Sequence, residues 1–299
     1  MKDFSIKTYG KFILAGEHAV IRGGPALVFP LLSRSLELKF QRGSQAFQII
    51  EASAEEKEVF EKLLSRSLEI LGHKREDLKG VLQISNQIPI GSGLGASAAL
   101  CVALARWFES LGWVKQENLQ KFAQQLENVF HGESSGVDVA VSLQGQGIHY
   151  ERNKDAYPLS VNNNLGGQFY LSYSGHRGKT SDCVTQVKKK FELEPAKYQK
   201  VDDEMIQAAQ SLEIALTNPI TDRREKIVQS MQQAKNCFVE WGLINDSLSS
   251  HLSNLQEAGA LATKPTGSGG GGYVLSFWDK IPPKNLLLIP APLSQISTD

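Results

Sequence analysis

Apolar residues recur along this chain with two periods, and the places where the period changes mark its elements. Phe4, Ile6 and Thr8 alternate and Phe12-Ile-Leu14 follows, which predicts two strand segments or a bent pair near the start. Leu36-Glu-Leu38-Lys-Phe40 alternates as a half-buried strand does. From residue 54 to 71 the period lengthens: Val59, Phe60, Leu63, Leu64, Leu68 and Leu71 fall on one helical face, and Gly72 closes the run. A strand over 81–85 leads into a glycine-rich turn, and helices over 97–111 and 117–130 come next. An irregular turn and a strand over 147–151 follow. Asn162-Asn-Asn-Leu-Gly-Gly167 has the texture of a linker, and Phe169, Leu171 and Tyr173 open a new strand. Beyond it the chain is mostly helical, over 180–192, 197–217, 221–241 and 247–258, and ends in strands over 273–277 and 286–289. A boundary near residue 160 gives two expected domains, 1–160 and 161–299, and no internal repeat is present.

Composition narrows the function classes. A chain of 299 residues buries one large core or two medium ones. Lys and Arg together number 32 and so do Asp and Glu, so no global field draws nucleic acid or an anionic membrane, and any anion has to be held locally. Three widely spaced cysteines, Cys101, Cys183 and Cys237, argue against both a disulfide framework and a zinc cluster. The amino-terminal residues carry no apolar signal region and no stretch has the length of a membrane span. The expectation is a cytoplasmic protein acting on a small anionic molecule, with neither nucleic acid nor membrane as partner; a homodimer is left open.

The stretch with the most chemistry is Pro89-Ile-Gly-Ser-Gly-Leu-Gly-Ala-Ser-Ala-Ala99. Glycines at 91, 93 and 95 let backbone approach an anion closely, and the helix that follows offers unpaired N–H groups and the positive end of its dipole. Three other stretches stand out. Gly10-Lys-Phe-Ile-Leu-Ala-Gly-Glu-His18 places Lys11 after a glycine and Glu17-His18 in a polar turn. Glu127 lies late on a helix, and Asp138 lies just past Ser134-Ser-Gly136. Lys264-Pro-Thr-Gly-Ser-Gly-Gly-Gly-Gly272 runs straight into the apolar strand Tyr273-Val-Leu-Ser-Phe277, as a flexible linker rarely does. There is no Gly-x-x-x-x-Gly-Lys-Ser/Thr run, so a P-loop is not supported, and the dinucleotide glycine spacing is incomplete.

In residues and in order these stretches resemble the GHMP kinase superfamily over nearly the whole chain, and Gly10 to Ala26 together with His131 to Asp138 resemble the mevalonate kinases within it. The resemblance implies an α+β, two-domain GHMP kinase fold, with an N-terminal ribosomal-protein-S5-like α/β domain and a C-terminal ferredoxin-like α+β domain. It implies ATP and Mg2+ as cofactors and transfer of the γ-phosphate to the primary hydroxyl of mevalonate. Phosphomevalonate or another small alcohol is the alternative acceptor, and a catalytically inactive sensor is a third reading. Position by position, it implies that Pro89, Gly91, Ser92, Gly93, Leu94, Gly95, Ala96 and Ser97 wrap the ATP phosphates, with Gly267, Gly269 and Gly270 closing the far wall. Ser97 and Glu127 would hold the metal, Asp138 would serve as base or orienting group beside Lys11, and Glu17, His18 and Thr180 would line the substrate cleft. Arg177 and Lys179 are candidates for the substrate carboxylate. Ala96 stands where the family has a first serine, which leaves Ser97 as the hydroxyl.

Overall fold

A computed structural model describes residues 3–50, 53–131 and 135–294. It has a mixed α+β architecture with two sheets, and the chain forms two compact units that are interleaved in sequence. The first takes the described residues within Met1–Gly10, Arg34–Ile90 and Gly95–Gly145; the second takes those within Lys11–Ser33, Gly91–Leu94 and Gln146–Asp299. Strands β1 (Phe4–Ala15) and β2 (Ala26–Ala46) each pass from one unit to the other.

In the first unit β4 (Lys79–Asn86) pairs antiparallel with the later half of β2, Phe40 opposite Leu82 and Leu38 opposite Ile84, and β3 (Gln48–Ile50) adds in parallel to β4. The alternation does what the pleat requires: Leu36, Leu38, Phe40, Leu82 and Ile84 are buried, while Lys39 and Ser85 face outward. Helix α1 (Ala54–Leu71) begins with a capping box. Ser53 Oγ accepts from Glu56 N–H at 3.2 Å and Glu56 Oε2 accepts from Ser53 N–H at 2.9 Å, an arrangement that contributes about 1 kcal/mol. It ends on Gly72 at φ 68°, the left-handed cap that the sequence predicts. Helix α2 (Ala96–Ser110) is buried on nearly every side, with Trp107 packed on Phe40, Phe47 and Phe108 at ring separations of 5.0, 5.8 and 4.9 Å. Helices α3 (Leu119–His131) and α4 (Val137–Gln144) pack against α2 and against each other.

Helix α4 replaces what the sequence reads as irregular chain. Val137, Val139 and Val141 alternate with Asp138 and Ala140 and carry β-branched side chains, which weakens any helical signal, yet Gly136 at φ 81° and Gly145 at φ 65° cap a helix between them. Packing on α2 and α3 outweighs local propensity. The turn expected after α3 includes residues 132–134, which lie outside the described residues.

The second unit holds an antiparallel sheet in the order β10 (Ile289–Pro290), β7 (Gln168–Tyr173), β9 (Tyr273–Trp278), β8 (Ala262–Pro265). Helices α5 (Thr180–Leu193), α6 (Pro195–Thr217), α7 (Arg223–Glu240) and α8 (Asp246–Glu257) fall close to their sequence-derived spans. Leu248, Leu252 and Leu255 of α8 pack with Val274 and Trp278 of β9. The start of β2 pairs antiparallel with β5 (Ile148–Tyr150), and β5 with β6 (Tyr157–Pro158). The opening strand β1 is one strand, where two segments or a bent pair were expected. The last strand is shorter than expected: Leu286 and Leu288 pack on the α8 cluster, but their N–H groups close tight turns onto Pro283 and Leu286 carbonyls instead of a ladder. Among the described residues no helix is long and apolar enough to cross a membrane. Cys101, Cys183 and Cys237 are all buried and free.

One ion cluster makes the second unit's stability depend on pH. The His149 ring is stacked on Tyr157 at 4.5 Å; Nδ1 lies 2.8 Å from Glu213 and Nε2 3.2 Å from Glu151, which in turn pairs with Lys154. The hydrogen bond to Glu213 is the chief reason that the imidazole pKa is raised despite burial. A raised folded-state value stabilises the protein fully below the unfolded histidine value, near 6.5, and the contribution fades as pH rises through the folded value. His149→Gln is therefore expected to lower the thermal midpoint more at pH 6 than at pH 9. Calorimetry at both pH values checks this, and an equal deficit at both would contradict it.

Candidate active site

Two glycine segments of the second unit face one cavity, lined by Gly91, Ser92, Gly93, Arg177, Gly178, Thr180, Thr266, Ser268, Gly269, Gly271 and Gly272. Its walls are mostly backbone, for steric reasons that can be read at single positions. A Cβ on Gly178 would stand 2.5 Å from the Gly269 carbonyl and one on Gly271 2.7 Å from the His176 carbonyl, whereas one on Gly91 would meet only the movable guanidinium of Arg177, so there it is φ 65° that asks for glycine. Gly93, at φ 82°, has open space around it, so its requirement for glycine is conformational. Further anchors hold the loops: Lys11 N–H donates to the Leu94 carbonyl at 2.8 Å, Gly272 N–H to His176 at 2.7 Å, and Ser268 Oγ to Thr180 Oγ1 at 3.3 Å. Thr180 and Arg177 are exposed at the cavity.

Gly267, Gly269 and Gly270 all lie in the left-handed region, at φ 91°, 80° and 71°. Pro89 precedes the first loop and is half-buried. Gly95, at φ 78°, is the N-cap of α2, which starts at Ala96 and has no side-chain cap hydrogen bond, so its first-turn N–H groups keep the character of an anion site.

Glu17 and His18 are fully enclosed in the second unit. The turn starts at Gly16, at φ 103°, where a Cβ would stand 2.1 Å from the Pro25 carbonyl. Glu17 Oε1 forms an ion pair with Lys264 Nζ, and both side chains are at most 1 % exposed. The Lys264 ammonium also donates to the Ile13 carbonyl at 3.4 Å and lies 5.5 Å from the Phe238 ring centroid. Burial pushes the Glu17 carboxyl up and the Lys264 ammonium down, each pull opposed by the partner, and the Lys11 charge also reaches Glu17. Deleting one member of such a pair costs about 3 to 5 kcal/mol, because it strands a buried charge. His18 adopts φ 57°, ψ −46°, a conformation that a non-glycine residue holds only when its surroundings impose it. Nε2 lies 2.9 Å from the Ser268 carbonyl and the ring packs 5.1 Å from Trp241. Burial lowers its pKa to about 4, so at pH 7 the imidazole is neutral and donates through Nε2–H.

Ser97, Glu127 and Asp138 belong to the first unit, on the three mutually packed helices α2, α3 and α4. Ser97 lies in the first turn of α2, half-buried; Asp138 lies in the first turn of α4, half-buried; Glu127 is 2 % exposed on α3. The Cys101 thiol is pushed far up by burial and then by the charge of the Glu127 carboxylate, which places Glu127 within electrostatic reach of Cys101. Cys101 sits one turn after Ser97 on the same face of α2. Among the described residues no group of three or more His, Cys, Asp or Glu side chains could hold a metal ion by itself.

Lys264 is the residue that sequence reasoning undervalues, since it reads there only as the start of a glycine-rich motif. The available signal is its place inside Ala262–Pro265, where a lysine on a wholly buried strand has to meet a buried carboxylate.

Comparison with known proteins finds relatives for this chain. Residues 57–146 match the family described as GHMP kinases N terminal domain. The mevalonate kinase of Pyrococcus furiosus is 29 % identical over 296 residues, covering 89 % of this chain and 86 % of that protein. The crystal structure of L. major mevalonate kinase in complex with R-mevalonate has the same fold, with a TM-score of 0.77 at 23 % identity over 92 % of this chain and 86 % of that one. The fold likeness extends to Streptococcus pneumoniae phosphomevalonate kinase, with a TM-score of 0.70 at 18 % identity over 93 % of this chain and 92 % of that one. Over residues 57–146 the chain is thus similar to the GHMP kinases, and over most of its length it is similar to proteins named mevalonate kinase.

Proposed function

We propose that this protein is a mevalonate kinase that transfers the γ-phosphate of ATP to the primary hydroxyl of mevalonate, giving 5-phosphomevalonate and ADP. The observation that carries the reading is the cavity whose walls are glycine backbone at positive φ, with Arg177 and Thr180 at its edge. Backbone N–H groups and a guanidinium suit a polyphosphate, and phosphoryl transfer asks mainly for positioning and charge stabilisation. The near-full-length similarity to a curated mevalonate kinase supports the acceptor.

Within this reading the first loop, Gly91 to Leu94, and the second, Gly267 to Gly272, hold the phosphates. Ser97 and Glu127 are the residues that would hold Mg2+. A serine hydroxyl and one carboxylate on facing helices are the hard oxygen donors that Mg2+ prefers, and its remaining positions suit phosphate oxygens and water. When bound, the ion supplies neutralisation of charge on the transferring group. Asp138 accepts the proton of the attacking hydroxyl or aligns that hydroxyl, and Lys11 supplies a fixed positive charge.

Asp138→Asn is expected to keep the fold and ATP binding while lowering turnover by about a hundredfold or more, in line with loss of a positioned acid–base group. Steady-state kinetics alongside an ATP titration checks this, and parental turnover would remove Asp138 from the chemistry.

The acceptor is tested by competing substrates. A phosphomonoester calls for a denser cationic cluster than a carboxylate does, and the cavity is lined by one arginine, with Lys179 two residues on in sequence. Mevalonate is expected to be phosphorylated with kcat/KM at least about tenfold above phosphomevalonate, a difference of about 1.4 kcal/mol in transition-state binding. A coupled ADP-release assay with both acceptors decides. The reverse preference would assign phosphomevalonate, and no turnover with any small alcohol would favour an inactive sensor.

A further inference from the structure

The segment that enters the second glycine loop is tied to one short stretch of chain at every other residue. Lys264 Nζ binds Glu17 Oε1 and the Ile13 carbonyl. Thr266 Oγ1 accepts from Ile13 N–H and donates to the Ile13 carbonyl, both at 2.9 Å. The Ser268 carbonyl lies 2.9 Å from His18 Nε2. The cavity is lined by the residues that follow or interleave with these ties: Thr266, Ser268, Gly269, Gly271 and Gly272. A loop whose glycines all sit at positive φ has no side chains of its own to fix its path, so its shape has to be imposed from outside.

We propose that residues 13–18 are a rigid template for the nucleotide loop, in which Glu17, Lys264 and Thr266 are positioning residues that set the direction of the loop's backbone N–H groups toward the ATP phosphates. This rests on the kinase reading above. It gives Glu17 a role through the loop, distinct from lining the substrate cleft. A buried ion pair suits such a task because it is directional where an apolar pair of equal volume is not. Its members are at most 1 % exposed, and Glu17 Oε2 is itself buried with no hydrogen-bond partner, so the carboxylate's side-chain hydrogen bond is the one that Oε1 makes with the ammonium. The Lys264 contact with the Ile13 carbonyl and the double bond of Thr266 to the same residue fix the strand on both sides of Pro265.

The test separates stability from position. Glu17→Gln and Lys264→Met each strand a buried partner and are expected to lower the thermal midpoint by several degrees. The double variant Glu17→Leu with Lys264→Met removes both charges, and is expected to recover most of that midpoint while its ATP dissociation constant, measured with magnesium and without acceptor, stays at least about tenfold above the parent. Thr266→Val, nearly isosteric, is expected to weaken ATP at least about fivefold, with Thr266→Ser restoring affinity to within about twofold. A double variant that regains stability and parental ATP affinity together would overturn the template, as would Thr266→Val binding ATP like the parent if the double variant does not fold. A parent protein that binds no ATP would instead overturn the kinase reading on which the template rests.

Discussion

An anion held by backbone requires that no side chain stand between the chain and the ligand, and the second unit is arranged around that constraint. Gly271 is excluded from having a Cβ by backbone already in place, Gly91 and Gly93 by conformation, and the segments that carry them share one cavity. Chain without Cβ atoms packs poorly and is entropically expensive to order. Order is therefore supplied by neighbouring residues: Lys11 on Leu94, His176 on Gly272, Thr266 on Ile13 and Lys264 on Glu17.

Of these, the Glu17–Lys264 pair is the most demanding. Two ions removed from water gain little net stability from each other, but each becomes very costly to lose once the other is in place. Such a pair contributes less to overall stability than to definition of one geometry. His18, next in sequence, shows the same economy of purpose: its unusual backbone is held by packing of the ring on Trp241 and by a bond to Ser268, and burial keeps the ring neutral. A fixed neutral imidazole keeps a constant hydrogen-bonding pattern across the physiological pH range.

What could be read from the sequence follows from how local the determinants are. Helix α1 was legible from its period, its cap and Gly72, all of which act within a few residues. The glycine run before α2 was legible because positive φ and helix N-termini are local properties, and the structure places Gly91, Gly93 and Gly95 there at φ 65°, 82° and 78°. Helix α4 was not legible, because alternating valines mimic a strand and only packing on α2 and α3 decides for helix. The partner of Glu17 was hidden for a similar reason: 247 residues separate it from Lys264, and no short-range pattern reports a contact of that span. The nearness of Glu127 to Cys101 on α2 likewise needed the packed helices, though its residue type and position on α3 had already made it a candidate.

The central claim is that backbone N–H groups of residues 91–94 and of the second loop from Gly267 onward grip the nucleotide. Amide hydrogen exchange measured with and without ATP and magnesium observes those N–H groups directly. Slowed exchange in both segments on ATP binding is expected, with Gly91 to Leu94 and Gly267 to Gly269 gaining the most protection in the second unit, whereas Gly270 and Gly272 already donate to the Leu243 and His176 carbonyls. Saturating ATP that protects other segments and leaves these two unchanged would contradict it.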